Sequence, residues 1–161
     1  MKKNLILTLL SILVAFATPQ KMIAQNIKIV TGHPNFKMEV LRCSSSSNNL
    51  IIELIITNLS DDDIEEIYAY GGGWNGGTKI YDNLGNIYDG NNLEVKVANK
   101  NFTSTDQRFK LVNHLPTKVT YSLKGFSSRA TSITLFEPDF NIPEWSVKRG
   151  TFKIRNITIS R

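Results

Sequence analysis

Leu50-Ile-Ile-Glu-Leu-Ile-Ile-Thr57 is the stretch on which the fold turns. It is nearly continuous apolar sequence, a pattern that buried strands and buried helix segments share. Four β-branched isoleucines, and turn-forming Asn and Ser on either side, favour the strand. An apolar run of this kind predicts a central strand buried on both faces. Upstream, Phe36, Met38 and Val40 alternate with Lys37 and Glu39, and Ser44 to Asn49 reads as a polar hairpin loop. Downstream, Asp61-Asp62-Asp63 predicts a solvated turn and Ile64 to Tyr70 another strand. The Glu65-Glu66 pair leaves a short helical turn as the alternative there.

The remaining sequence repeats the same grammar. A glycine-rich loop, Gly71 to Gly77, carries Trp74. Lys79-Ile-Tyr81, Asp82-Asn-Leu-Gly85 and Asn86-Ile-Tyr88 read as a hairpin with Gly85 at positive φ. Leu93/Val95/Val97, Val119/Tyr121/Leu123 and Ile133/Leu135 each alternate with polar residues, and Phe109 and Leu111 precede a loop through His114 and Pro116. In the last strand Phe152 and Ile154 are out of phase with Ile157 and Ile159, which predicts a β-bulge near Arg155-Asn156. Roughly 7–9 short strands separated by turns predict an all-β fold, an immunoglobulin-like antiparallel β-sandwich, with a closed barrel as the alternative.

The first residues read as an address. Lys2 and Lys3 precede an apolar run, Leu5 to Ala17, and small residues stand at Ala15, Ala17 and Ala24. A membrane span needs about 20 apolar residues, and Pro19, Gln20 and Lys21 end this run first. The expectation is a signal peptide over 1–24, cleaved after Ala24 or Ala17, followed by a single domain over 25–161. No cysteine follows the run, so the exported product is not expected to be a lipoprotein. It is expected outside the cell or in the periplasm, with no transmembrane anchor. The whole chain holds 161 residues with 19 basic and 14 acidic side chains, a net +5. Removing Lys2, Lys3 and Lys21 lowers the net charge to +2. That is too little to argue for nucleic acid, whose phosphates call for clustered Lys and Arg. Lys148, Arg149, Lys153 and Arg155 come nearest to a cluster, and alternation places Lys153 and Arg155 on a solvated strand face.

Ile55-Ile-Thr-Asn-Leu-Ser60, Tyr81-Asp-Asn-Leu-Gly-Asn-Ile-Tyr88, Leu115-Pro116 ahead of the Val119/Tyr121/Leu123 strand, and Phe152-Lys-Ile-Arg-Asn-Ile157 occur in that order. With these motifs, most of residues 36–159 resembles small secreted bacterial immunoglobulin-like sandwiches of unknown function. The resemblance implies a fold and an accessory or binding role; it assigns no residue a task. The Gly71–Gly77 segment departs from the pattern as an insertion.

Chemical motifs are few. Gly71-Gly-Gly73-Trp-Asn-Gly76 matches a dinucleotide fingerprint by letter, but a strand follows where a helix N-terminus would have to hold the pyrophosphate. Two readings of Trp74 remain: a contact residue on an adaptable loop near Tyr70, Tyr81 and Tyr88, or a lid folded over the end of the core. Asp82, Asn83, Asn86, Asp89, Asn91 and Asn92 supply oxygens that calcium would accept, without the alternation of a calcium loop. Good turn formers explain them equally, and no cofactor or metal is expected. His33 and His114 lack metal-ligand spacing. Cys43, beside Arg42, is either a partly activated thiol or a small half-buried apolar group; one cysteine excludes an internal disulfide. The leading expectation is a noncatalytic module binding another protein or a cell-surface glycan through Trp74, Tyr70, Tyr81 and Tyr88. The alternatives are assembly through an edge strand and a hydrolase of unidentified type.

Overall fold

Twelve strands and no α-helix form among the residues described by the computed structural model, 26–73, 77–147 and 149–161. They are β1 (Lys28–Val30), β2 (Phe36–Ser46), β3 (Asn49–Asn58), β4 (Ile64–Tyr70), β5 (Lys79–Asp82), β6 (Ile87–Tyr88), β7 (Leu93–Val97), β8 (Asp106–Leu111), β9 (Thr117–Lys124), β10 (Ser132–Glu137), β11 (Asp139–Asn141) and β12 (Lys153–Thr158). The expected 7–9 is therefore an undercount. Strands as short as β1 and β11 are below the length at which alternation can be read. The predicted signal segment, Trp74 and Lys148 lie outside the described residues.

All strand pairs are antiparallel and build three sheets, β2-β3-β9-β7, β1-β12-β10-β5-β6 and β11-β4-β8. Their inner faces share one hydrophobic core, a sandwich-like arrangement. Tyr121 from the first sheet meets Phe136 from the second edge to face, with centroids 5.1 Å apart.

β3 is central in pairing but not buried on both faces, as its apolar run suggested. Leu50, Ile52, Leu54 and Ile56 are fully inside, whereas Ile51, Glu53 and Ile55 are half-buried on the outer face. Pairing saturates the backbone on both sides, and packing covers only one. The outer isoleucines lie between cross-strand neighbours instead, Ile51 between Ser44 and Ser122, Ile55 between Glu39 and Lys118. The Ser44–Asn49 segment is likewise mostly strand. Pairing continues to Ser46 and Asn49, and only Ser47 and Asn48 turn, at φ 46° and 62°, as a two-residue type I′ hairpin requires.

Three irregularities keep apolar residues facing inward. In β2 the register shifts at Leu41, which is left exposed while Cys43 turns into the core. In β4 it shifts between Ile64 and Ile67, so the Glu65-Glu66 pair forms a bulge within a strand and no helical turn. The Glu144 carboxylate accepts both freed amides, from Glu65 at 2.8 Å and Glu66 at 3.3 Å. In β12 Asn156 takes φ 63°, placing the phase change where the sequence predicts it. Asparagine tolerates this left-handed geometry better than most residues. β10 keeps step with β12 across the change, and the mismatch is passed on to β5.

Candidate functional site

The sheets β11-β4-β8 and β1-β12-β10-β5-β6 are joined through one nearly continuous strand, β10 followed by β11. β4 and β5 both pair with it, end to end. Tyr70 lies opposite Asp139, and Lys79 lies opposite Glu137. An uninterrupted partner strand would need one residue between Tyr70 and Lys79, opposite Pro138. The chain has eight, residues 71–78. The glycine segment is therefore an excursion spliced into a strand.

The splice is stapled at its base. The Thr78 hydroxyl donates to the Tyr70 carbonyl at 2.6 Å and accepts the Asp139 amide at 3.0 Å. The Thr78 amide closes the loop on the Gly71 carbonyl at 3.0 Å. Gly71, Gly72 and Gly73 donate to the carbonyls of Thr105, Leu93 and Ser104 at 2.6, 2.7 and 2.9 Å. They are glycines because backbone passes that close: a methyl on Gly72 would lie 2.3 Å from the Gly90 carbonyl oxygen. The expected adaptable loop thus has a fixed ascending limb. Trp74 itself, the favoured contact, lies outside the described residues.

Beside the staple, β4 turns Tyr68 and Tyr70 outward, their rings 6.3 Å apart and 22° from parallel. The Arg149 guanidinium lies 4.2 Å from the Tyr70 ring centroid. It also grips the buried Asp139 carboxylate, with Nε–Oδ2 2.7 Å and a second nitrogen at 2.5 Å. Burial pushes the Asp139 carboxyl above its ordinary range, and the Arg149 charge opposes that rise. On the neighbouring strand Arg108 pairs with Glu66 at 2.7 Å, and Glu66 accepts the Tyr68 hydroxyl. The register sets Asn141, Tyr68 and Arg108 in one row and Asp139, Tyr70 and Asp106 in the next.

Of the other aromatic candidates, Tyr81 stays on this outer face farther along the same strand line, and Tyr88 turns away from it. Tyr88 pairs with the buried Ile80, so it faces inward, packing on Phe126 at 5.1 Å. Tyr81, one position along, faces the opposite way and reaches Glu137 at 3.3 Å. Tyr88 instead completes a knot around Asp82. That buried carboxylate accepts hydrogen bonds from the Leu84 and Asn86 amides, the Asn86 side chain and the Tyr88 hydroxyl, at 2.8–3.0 Å. Both its oxygens serve the hairpin, so Asp82 acts as a turn staple. Among the described residues no group of three or more His, Cys, Asp or Glu side chains converges as a metal site would require.

Cys43 is buried, and burial pushes its thiol up to about 12. The activated-thiol reading does not survive that environment. The native protein should leave a thiol reagent unconsumed at pH 7–8 and react with one equivalent after denaturation. Rapid labelling of the folded protein would contradict this. His33 stacks on Trp145 with centroids 4.1 Å apart, and His114 is exposed in a turn at φ 56°. Among the described basic residues near the C-terminus, Arg149 turns to Asp139, and Lys153 pairs with Glu137 at 3.4 Å.

Sequence reasoning missed Asp139 and Thr78, and it singled out Arg149 only as a member of a basic cluster. The sequence carries only a weak trace, an aspartate between Pro138 and Phe140, and its burial between sheets is what requires a partner. Compared with known proteins, the chain matches no protein-family model, no curated protein and no solved structure.

Proposed function

We propose that the chain is an exported, noncatalytic recognition module with an immunoglobulin-like β-sandwich fold. In this reading it binds a cell-surface glycan through the Tyr68–Tyr70 face and the Trp74 loop. The observation that carries the reading is the splice: a strand interrupted by a loop whose base is held by Thr78 and whose first limb is pinned. A fixed base limits the ordering cost that a displayed aromatic pays on binding. Arg149 covers one face of the Tyr70 ring, and the near-parallel Tyr68 ring and the free tyrosine surface beside it offer apolar area of the kind that packs on sugar rings. Asn141, Asp106 and Arg108 flank them with donors and acceptors for hydroxyl groups. A protein partner would use the same surface through the same aromatic anchors.

The test is an array of neutral glucans, mannans and xylans, probed with the wild type, Trp74→Ala and Tyr70→Ala. Each substitution should weaken binding by about tenfold or more, the scale of an aromatic hot spot, with the Trp74→Ala melting temperature unchanged. A large stability loss at Trp74 with binding retained would make that residue a lid over the core and overturn its assignment.

A further inference from the structure

The outer face of β2-β3-β9-β7 belongs to the other layer of the fold and shares no residue with the tyrosine face. We propose that it carries a second site, a trough for an extended acidic polysaccharide, independent of the tyrosine-face reading. A surface cavity of about 520 Å³ lies there, lined by Arg42, Ser44, Ser46, Ile51, Ser122 and Lys124 among others. Its layout follows from register. Ser44, Ile51 and Ser122 form one cross-strand row, so the half-buried Ile51 makes an apolar floor between two hydroxyls. Ser46, Asn49 and Lys124 form the next row, towards the hairpin end. Arg42 stands at the other end, its Nε donating to the Ser44 hydroxyl at 3.0 Å.

The charges at the two ends are incompletely used. Among the described residues Arg42 has no carboxylate within ion-pair distance, although Glu53 is its cross-strand neighbour; Glu53 is engaged by Lys118 at 3.3 Å. Lys124 reaches Glu94 only at 3.9 Å, with its side chain largely exposed. Arg42 and Ser46 are four positions apart along β2, about 13 Å at ~3.3 Å per residue. One small anion cannot bridge that distance, whereas a chain of sugars bearing repeated anionic groups can. The C–H face of one ring would rest on Ile51 while serine hydroxyls meet ring hydroxyls. Carboxylate or sulfate groups would reach Arg42 and Lys124, the planar guanidinium suiting either in bidentate fashion.

Affinity gel electrophoresis with the full chain tests this, using polygalacturonate, dextran sulfate and neutral dextran as probes. The expected result is retardation by an acidic polymer and none by dextran. Retardation by polygalacturonate alone identifies a uronic acid ligand; retardation by dextran sulfate alone identifies a sulfated one. Arg42→Gln with Lys124→Gln should lose about tenfold or more in affinity, the loss expected for two charge-assisted contacts. Lys153→Gln with Arg155→Gln removes the same charge from another sheet and should change little. Tyr70→Ala should leave this binding intact, which separates failure of this site from failure of the tyrosine face. Absence of retardation by both acidic polymers, or an equal loss in the Lys153/Arg155 pair, overturns the proposal.

Discussion

Gly72→Ala should destabilise the fold by about 3 kcal/mol, at the upper end of ordinary overpacking costs, measured as a shift of the urea midpoint. The added methyl would stand 2.3 Å from the Gly90 carbonyl oxygen, 2.8 Å from the Gly90 amide nitrogen and 2.9 Å from the Leu93 Cβ. Two of these neighbours are backbone atoms and cannot swing aside. The Gly72 amide is also tied to Leu93, and its carbonyl accepts the Gly90 amide at 3.0 Å. The loop limb and the segment leading into β7 must therefore move together or break contact. Gly85→Ala is the instructive companion. No atom lies within 4 Å of its added methyl, but its φ of 85° carries a backbone penalty, so a cost of only about 1 kcal/mol is expected. Equal costs at the two positions would contradict the close-approach argument.

Asp82→Ala should cost about 2–4 kcal/mol, because it removes an acceptor shared by four donors and strands part of the hairpin. Burial raises the Asp82 carboxyl, but hydrogen bonds from Asn86, Tyr88 and Leu84 outweigh that, and the net shift is downward. A carboxyl lowered in the folded state stabilises fully above its unfolded value of about 3.9, and that stability is lost as pH falls towards the folded value. Stability curves for the wild type should accordingly drop below pH 4, and Asp82→Asn should flatten part of the drop. Asp139 works in the opposite sense, since its raised carboxyl makes ionisation costly as pH climbs past the unfolded value. An Asp82→Asn variant with an unchanged acid limb would show that the hairpin carboxylate is not a main source of acid sensitivity.

These expectations also mark how far the sequence could be read. Alternation located β7 and β9, whose inward residues are buried as a period of two requires. The phase slip located the β12 irregularity, because a face change leaves a trace in the order of isoleucines. The same logic misjudged β3. Apolarity reports that a side chain tolerates burial, and Ile51 and Ile55 tolerate it on a face that is only partly covered. The Ser44–Ser47 run looked like loop because serine is a turn former, yet pairing with a strong neighbour strand overrode that preference. The splice at Tyr70–Lys79 was half legible: the glycines announced a loop, but only the shared partner strand shows it to be an insertion into one strand. The Asp139–Arg149 pair left no periodic signal, since its members are ten residues apart on opposite sides of a turn.

Backbone amide NMR of the protein, titrated with the neutral oligosaccharide that binds best on the array, tests the recognition face most directly. The account predicts shifts concentrated at Tyr68 to Gly73, Thr78 and Asp106 to Arg108, together with the Trp74 indole. Shifts confined to the outer face of β2-β3-β9-β7, or no shifts at saturating oligosaccharide, would contradict it.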